Sequence, residues 1–290
     1  LNVIYNPAAG PRRAHRLWRV LDILSASGMR VQLQETAYAG HATLLARQAI
    51  DENPQCLVVA AGGDGTIAEV ANGLAGRTAR LGVIPLGTAN VLARELKLPI
   101  APQAVAAALA FGRTRALWPG IASGRGGDRV FVQMLGVGLD AQVVHRLPKP
   151  LKRLLGPGAY VVQTMREMWR YGYAPIRVKI DGVAAEAASV IVTKGTLYAG
   201  QYLLAPAARP GEKGFSVALF EGQGPLSALL YGAALPLNLL PLTPGLRLLR
   251  ASRVEICGAA ATPAQADGDP AGEVPISIRD AEHPIGIVVA

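Results

Sequence analysis

Aromatic residues make up only 5% of this 290-residue chain and charged residues only 17%, against about 25% charged in an ordinary soluble domain. The low charge leaves two readings open: a protein that meets something apolar, or a soluble protein rich in alanine and leucine. With aromatics scarce and no recognition motif beside the basic residues, a nucleic-acid partner is not expected. Only two cysteines occur, Cys56 and Cys257, far apart in sequence. They build neither a disulfide framework nor a zinc-ligand spacing, which suits a reducing compartment. His15, His41, His145 and His283 are scattered and form no metal pattern. No signal-peptide pattern is visible. The expected location is cytoplasmic, with the inner face of a membrane as the alternative. The longest apolar stretch, Leu226–Leu249, is interrupted by Pro236, Pro241, Pro244 and Arg247. A spanning helix needs roughly 20 unbroken apolar residues, and an interior proline costs about 3 kcal/mol. The stretch therefore reads as a helix of about ten residues and a turn-rich tail, either buried or facing a membrane.

At roughly 100–200 residues per domain the length suits two domains, and 51% hydrophobic residues can fill their cores. The net charge is +9, and the excess is uneven. Between Ala141 and Ile180 stand Arg146, Lys149, Lys152, Arg153, Arg166, Arg170, Arg177 and Lys179 against one acid, Glu167. A local positive field attracts nucleotides or an anionic membrane. The segment 146–170 is the candidate membrane contact, with a solvated face as the competing reading.

Strand and helix signals alternate through the first third. Val3–Tyr5, Arg30–Gln34, Leu57–Ala61 and Leu81–Ile84 read as strands. Between and after them come helical patterns, with Leu17, Trp18, Leu21 and Leu24 on one and Ile67, Val70, Ala71 and Leu74 on another. Such alternation means a parallel sheet covered by helices. From about Leu117 the chain becomes a series of short strand-like runs separated by Gly and Pro: Val130–Leu135, Ile176–Ile180, Ser189–Thr193, Ser216–Phe220, Val254–Ile256, Pro275–Ile278 and Ile285–Val289. That texture predicts a mostly antiparallel β domain, with one helical segment over Ala159–Arg170. The expected division is an α/β domain over 1–120 and a β-rich domain over 121–290. Whether the last strand, near 282–290, returns to the first domain stays open.

One segment carries chemistry. Val58-Val59-Ala60-Ala61 delivers the chain to Gly62-Gly63-Asp64-Gly65-Thr66. The glycines allow a sharp turn and close approach of backbone to a ligand. The helix that follows aims its free N–H groups at the turn, as a phosphate requires. Thr66 is placed to cap that helix. Asp64 beside phosphates needs either a bridging Mg²⁺ or a hydrogen bond that positions the loop. Two further turns, Asn6-Pro7-Ala8-Ala9-Gly10 and Pro85-Leu86-Gly87-Thr88-Ala89-Asn90, also follow strands and could converge on the same sheet edge. No P-loop or protein-kinase signature is present. Gly136-Val137-Gly138-Leu139-Asp140-Ala141 matches a dinucleotide fingerprint in letters. It lacks the following helix and the later acid, and is read as a chance match.

These motifs in this order, with Glu69, Asn72-Gly73-Leu74 and the late Asp267-Gly268-Asp269, resemble the diacylglycerol kinase catalytic-domain family over nearly the whole chain. The resemblance implies an ATP-binding α/β domain, a β-rich lipid domain and an active site in the cleft between them. It implies ATP contacts at Asn6, Pro7, Ala8, Ala9, Gly10, Thr36, Gly62, Gly63, Asp64, Gly65, Thr66, Ile67, Ala68 and Thr88, with Glu69 and Asn90 in the same motifs. It implies Mg²⁺ with the nucleotide and a lipid hydroxyl as acceptor. Asp269 matches the family's base, with Asp267 beside it and Asp64 as the third candidate catalytic carboxylate. Three positions depart from the family pattern. Val91 replaces an aspartate, Ala68 replaces an asparagine, and Glu212-Lys213-Gly214-Phe215 stands where a metal-holding Asp-Gly-Leu is expected. Glu212 is the one side chain there able to hold an accessory cation. A kinase of a soluble hydroxyl compound such as NAD, or a catalytically impaired lipid-binding protein, is the alternative. A homodimer is left open.

Overall fold

The computed structural model describes residues 1–9, 13–148, 157–258 and 262–290. The chain divides into two compact units, Leu1–Pro119 with Ala281–Ala290, and Gly120–Asp280.

In the first unit aliphatic runs form β1 (Asn2–Tyr5), β2 (Gln32–Glu35), β3 (Leu57–Gly62) and β4 (Arg80–Pro85). Between and after them lie α1 (Ala14–Ala26), α2 (His41–Glu52), α3 (Asp64–Leu74), α4 (Val91–Glu95) and α5 (Pro102–Phe111). The strands lie in the order β2-β1-β3-β4, all parallel. The C-terminal strand Ile285–Val289 adds parallel to β4, and β5 (Arg113–Leu117) closes the edge antiparallel to it. β3 is buried at every residue, as a strand covered on both faces must be. Leu17, Val20, Leu21 and Leu24 of α1 pack with Val105 and Leu109 of α5 against Val3, Tyr5, Val59 and Ala61. Each such side chain contributes about 1.5–3 kcal/mol on burial. The other two long helices, α2 and α3, touch closely at Gly73, where a Cβ would stand 2.5 Å from the Thr43 carbonyl oxygen.

The second unit holds β6 (Gly120–Gly124), β7 (Gly127–Phe131), β8 (Met134–Val137), β9 (Ile176–Ile180), β10 (Val183–Ala187), β11 (Ser189–Thr193), β12 (Leu197–Tyr198) and β13 (Tyr202–Leu203). It continues with β14 (Phe215–Phe220), β15 (Leu246–Ala251), β16 (Val254–Cys257), β17 (Pro263–Ala266), β18 (Asp269–Glu273) and β19 (Ile276–Asp280). Its helices are α6 (Leu139–Arg146), α7 (Pro157–Met168) and α8 (Gly224–Ala234). Two antiparallel sheets, β10-β9-β16-β19-β6-β7 and β15-β14-β11-β8-β17-β18, enclose one core. Ile176, Val178, Ile180 and Phe131 from the first meet Val190, Val192, Phe215 and Val217 from the second. Side chains alternate along a strand, so Ile191 and Ala218 face the other way. They pack there with Leu204, Leu240 and Tyr231 of α8. The last strand, Ile285–Val289, is β20.

The fold class read from the sequence is the one observed, a parallel-sheet N-terminal unit and an antiparallel β-rich unit. Three local expectations are corrected. Val130–Leu135 is not one strand: it breaks at Val132–Gln133, where the chain passes from one sheet of the sandwich to the other. A helix, α6, does follow Gly138. The tail after Leu235 is not all turns, because Leu246–Ala251 pairs with β14 as an edge strand.

Candidate functional site

The four parallel strands β2, β1, β3 and β4 end side by side, and the candidate turns leave from those ends. Thr36 N donates to Tyr5 O at 2.8 Å, and Asn6 N to Ala61 O at 3.1 Å. Leu86 N and Gly87 N both donate to Gly62 O, at 2.9 and 3.2 Å. The two glycine turns touch: a Cβ on Gly87 would lie 2.5 Å from Gly63 Cα, backbone against backbone. The Asn6 side chain donates to Thr66 Oγ1 at 3.2 Å and accepts from Ala8 N at 3.0 Å, which ties the Asn6 turn to the Gly62–Thr66 turn. Thr66 is therefore not the cap of α3. The N-cap is Gly63, which has no side chain to cap the helix. An α-helix leaves its first N–H groups without intrahelical partners, so the start of α3 offers donors and a positive dipole end to an anion.

Asp64 is the first residue of α3. Its Oδ1 accepts from Leu92 N, at the start of α4, at 3.3 Å. Burial pushes its carboxyl above the ordinary aspartate value, and backbone donors from Leu92, Val91, Asp64 and Asn90 oppose that shift. Of the two roles open to Asp64, the geometry carries the hydrogen bond that positions the loop. The amide nitrogen of Asn90 donates to Gly87 O at 2.8 Å, while its buried Oδ1 has no partner among the described residues. An uncapped helix start and glycines in backbone contact suit the polyphosphate of a nucleotide, and the orphaned Asn90 acceptor suits a donor group or a cation that accompanies it.

Not every expected contact belongs to this cluster. The Glu69 carboxylate faces α2, accepting from Gly40 N at 2.9 Å and Ala42 N at 3.1 Å. It caps a helix that begins with no cap of its own. Ile67 and Ala68 are buried, and Ile67 N already donates to Gly63 O, so their side chains serve the core. Pro7, Ala8 and Thr88 are exposed on the turns. Ala9 ends the short 3-10 turn that begins at Pro7, and Gly65 lies in the first turn of α3. Gly10 lies outside the described residues. Arg13, which the motif reading missed, donates to Leu86 O at 3.4 Å and to Gly87 O. It brings a guanidinium to the same turns, and only its spacing from Asn6 could have hinted at it.

In the second unit the Asp267-Gly268-Asp269 turn connects β17 to β18. The Asp267 carboxylate accepts three backbone N–H groups: Val132 at 2.8 Å, and Gln133 and Met134 at 2.9 Å each. Asp267 N returns a bond to Met134 O at 2.9 Å. This clamp holds the break between β7 and β8, so Asp267 is a positioning residue rather than a free base. Asp269, half-buried two residues on, makes no side-chain hydrogen bond among the described residues.

A second network braces the turn. Gln265 Oε1 accepts from Gly268 N at 2.8 Å, Gln265 Nε2 donates to Asp140 Oδ2 at 2.7 Å, and Tyr198 Oη donates to Asp140 Oδ1. Burial pushes both the Asp140 carboxyl and the Tyr198 phenol up. Gly136 makes room for this network, since a Cβ there would run into the Asp140 carboxylate and stand 2.8 Å from Gln265 Nε2. The fingerprint-like Gly136–Ala141 segment thus has a structural reason. Gln133 is buried beside the Asp267 clamp, with neither side-chain amide atom partnered among the described residues.

The segment implied to hold an accessory cation does not fit one. The Glu212 side chain is exposed and pairs with Arg250 at 3.3 Å. The carbonyl oxygens of Glu212 and Gly214 accept from the Lys194 ammonium. Among the described residues there is no group of three or more His, Cys, Asp or Glu able to hold a metal.

Part of the basic segment 146–170, including Lys149, Lys152 and Arg153, lies outside the described residues. Arg146 is paired with the buried Glu167 at 3.1 Å, so it offers little charge to a partner. On α7 and just beyond it, Val161, Val162, Met165 and Trp169 are exposed alongside Arg166 and Arg170. The neighbouring α8 exposes Leu226, Leu229 and Leu230.

Residues 1–120 match the family described as Diacylglycerol kinase catalytic domain, and residues 133–289 match the YegS C-terminal NAD kinase beta sandwich-like domain. Diacylglycerol kinases of Staphylococcus aureus strains bovine RF122 / ET3-1 and MRSA252 are 31% identical over 224 residues, covering 76% of this chain and 70% of theirs. A solved structure from Bacillus anthracis str. Sterne superposes with a TM-score of 0.82 at 20% identity, covering 100% of this chain and 94% of that one. A diacylglycerol kinase structure from the same strain gives 0.71 at 18% identity, covering 100% and 96%. At such identities the structures speak for the fold alone.

Proposed function

The chain belongs to the diacylglycerol kinase family, and from that premise we propose that it transfers the terminal phosphate of ATP to a hydroxyl of a diacylglycerol-like lipid. One observation carries the donor side: α3 starts uncapped at Gly63, framed by the turns of Asn6, Gly87 and Asn90. Its backbone N–H groups and the orphaned Asn90 oxygen are held in place before a ligand arrives, and such positioning supplies most of the catalysis in phosphoryl transfer. Arg13 adds positive charge, and Asp64 fixes the loop through Leu92. Mg²⁺ bound with the nucleotide would neutralise charge on the phosphates.

On the acceptor side Asp269 takes the hydroxyl proton. Asp267 holds the turn that presents it, and the orphaned Gln133 amide is available to the acceptor's polar head. A base must come within about 3 Å of that proton, directly or through one water. No helix among the described residues is long and apolar enough to cross a membrane. Access to a lipid therefore calls for a surface contact. The exposed apolar row on α7, flanked by Arg166 and Arg170, suits an anionic bilayer at about 1 kcal/mol per basic residue near the surface.

Labelled ATP with a panel of extracted lipids tests the reading. Label in the organic phase supports it, and label in the aqueous phase favours a soluble acceptor such as NAD. No transfer to any acceptor would mean a protein that binds without turnover.

A further inference from the structure

The misfit at Glu212 has a specific cause. Lys194 follows β11 directly, and its side chain is fully buried. Its Nζ donates to Glu212 O at 3.2 Å, to Gly214 O at 2.9 Å and to the Asp280 carboxylate at the end of β19. The other Asp280 oxygen accepts from Gly214 N at 2.7 Å. The Phe215 ring lies 4.5 Å from the ammonium. Two backbone carbonyls and a carboxylate are the kind of oxygen set a hard cation takes. An ammonium has three donors, and these three acceptors meet them all. A divalent ion brought to the same oxygens would face the Lys194 charge at contact distance, with Lys213 next along the chain. Burial pushes the Lys194 amine down, and Asp280 opposes that shift.

We propose that the Lys194 ammonium is a built-in replacement for the accessory cation. It ties the 212–214 loop to the ends of β11 and β19, so the β-rich unit needs no metal of its own. The same lysine reaches the acceptor turn, since Lys194 N donates to Gln133 O at 2.8 Å, next to the Asp267 clamp. The inference stands on the geometry of this unit and not on the kinase reading, and its test uses no nucleotide.

The chelator-treated protein is melted with and without millimolar Mg²⁺ or Ca²⁺, and Mn²⁺ binding is followed by the resonance signal of the free ion. The wild type should show no change in midpoint and no saturable Mn²⁺ site. Lys194→Ala should melt lower by on the order of 10 °C, because Asp280 is left buried without its partner. Ca²⁺ or Mn²⁺ should restore part of that loss by entering the vacated space. Lys194→Met should melt lower without any cation response, since its side chain still fills the space. A saturable Mn²⁺ site on the wild type that Glu212→Gln or Asp280→Asn removes would overturn the proposal. So would a Lys194→Ala variant that melts with the wild type, or one that stays destabilised whatever cation is added. If Lys194→Ala fails to fold, the wild-type measurement decides alone.

Discussion

Asp267 and Asp269 stand two residues apart, yet their surroundings differ: the Asp267 carboxylate accepts three backbone N–H groups, and the Asp269 carboxylate, the proposed base, has no hydrogen-bond partner among the described residues. Asp267→Asn keeps the side-chain shape and tolerates the positive φ of 51° at this position, since asparagine is among the few residues that visit that region readily. What changes is the charge and one acceptor. With the amide oxygen turned to Gln133 and Met134, the NH₂ group faces the Val132 N–H; turned over, it faces two N–H groups. A hydrogen bond to a charged group contributes about 1.5–3 kcal/mol, and an orphaned buried donor costs about 1–3 kcal/mol. One bond lost, one donor orphaned and two bonds weakened place the variant about 3–5 kcal/mol below the wild type. At about 2–4 °C per kcal/mol, the β-rich unit should melt lower by on the order of 10 °C. Asp269→Asn removes a carboxylate that has no partner among the described residues, so its stability should stay within about 0.5 kcal/mol. Its kcat should fall about 10²–10⁴-fold if Asp269 is the base. Thermal unfolding followed by circular dichroism, together with labelled-phosphate transfer to diacylglycerol in mixed vesicles, reads both quantities. The reasoning fails if Asp267→Asn melts with the wild type, or if Asp269→Asn turns over at full rate.

Gly87→Ala would drive a Cβ to 2.5 Å from Gly63 Cα, and neither backbone can give way cheaply. Its KM for ATP should rise about tenfold or more, while Gly172→Ala, with open space around it, should leave KM alone; equal values for all three proteins would remove the backbone contact from the site. Burial raises the Asp64 carboxyl, so the folded chain takes up this proton at higher pH than the unfolded chain does. The resulting destabilisation is complete at neutral pH and is relieved as pH falls through the raised value. The midpoint of Asp64→Asn relative to wild type should therefore be most favourable at neutral pH and decline in acid, and a difference that ignores pH would contradict the burial argument. Trp169→Glu should weaken sedimentation with anionic vesicles and leave transfer to a short-chain dispersed diacylglycerol near the wild-type rate. Undiminished sedimentation would remove α7 from the membrane contact.

The first unit was legible because parallel strands buried on both faces write themselves as unbroken apolar runs. β3 and β4 were read nearly to the residue. The edge strand β15 was not, since its half-buried residues alternate with Arg247 and Arg250 after a proline-rich turn, and a proline-rich run reads as loop. β20 carries no mark of which unit it joins, because its partners β4 and β5 are far away in sequence. The break between β7 and β8 was invisible for the same reason: its cause, the Asp267 carboxylate, arrives from the other end of the unit. The glycine turns of the proposed donor site could be read by type and order. The different surroundings of Asp267 and Asp269, and the presence of Arg13, Gln133, Gln265 and Lys194, depended on contacts that no spacing records.

Glycine motifs in this chain report that something comes close, without saying what. Gly87 is required because Gly63 is there, and Gly136 because the Asp140–Gln265 pair is there. The second motif has the letters of a dinucleotide fingerprint, yet its clearance is filled by the chain's own side chains. The first has its clearance filled only in part. Beyond the contact of the two turns lie the start of α3 and the Asn90 oxygen, which has no partner among the described residues. Buried polar groups are almost always satisfied in a folded protein, so a group left open beside a close backbone approach marks where a ligand completes the structure. By that criterion the proposed binding turn is Gly62–Thr66, and Gly136–Ala141 is a packing turn. On the same criterion the buried Gln133 amide, open in the second unit beside the Asp267 clamp, supports the proposed acceptor side as the Asn90 oxygen supports the proposed donor side.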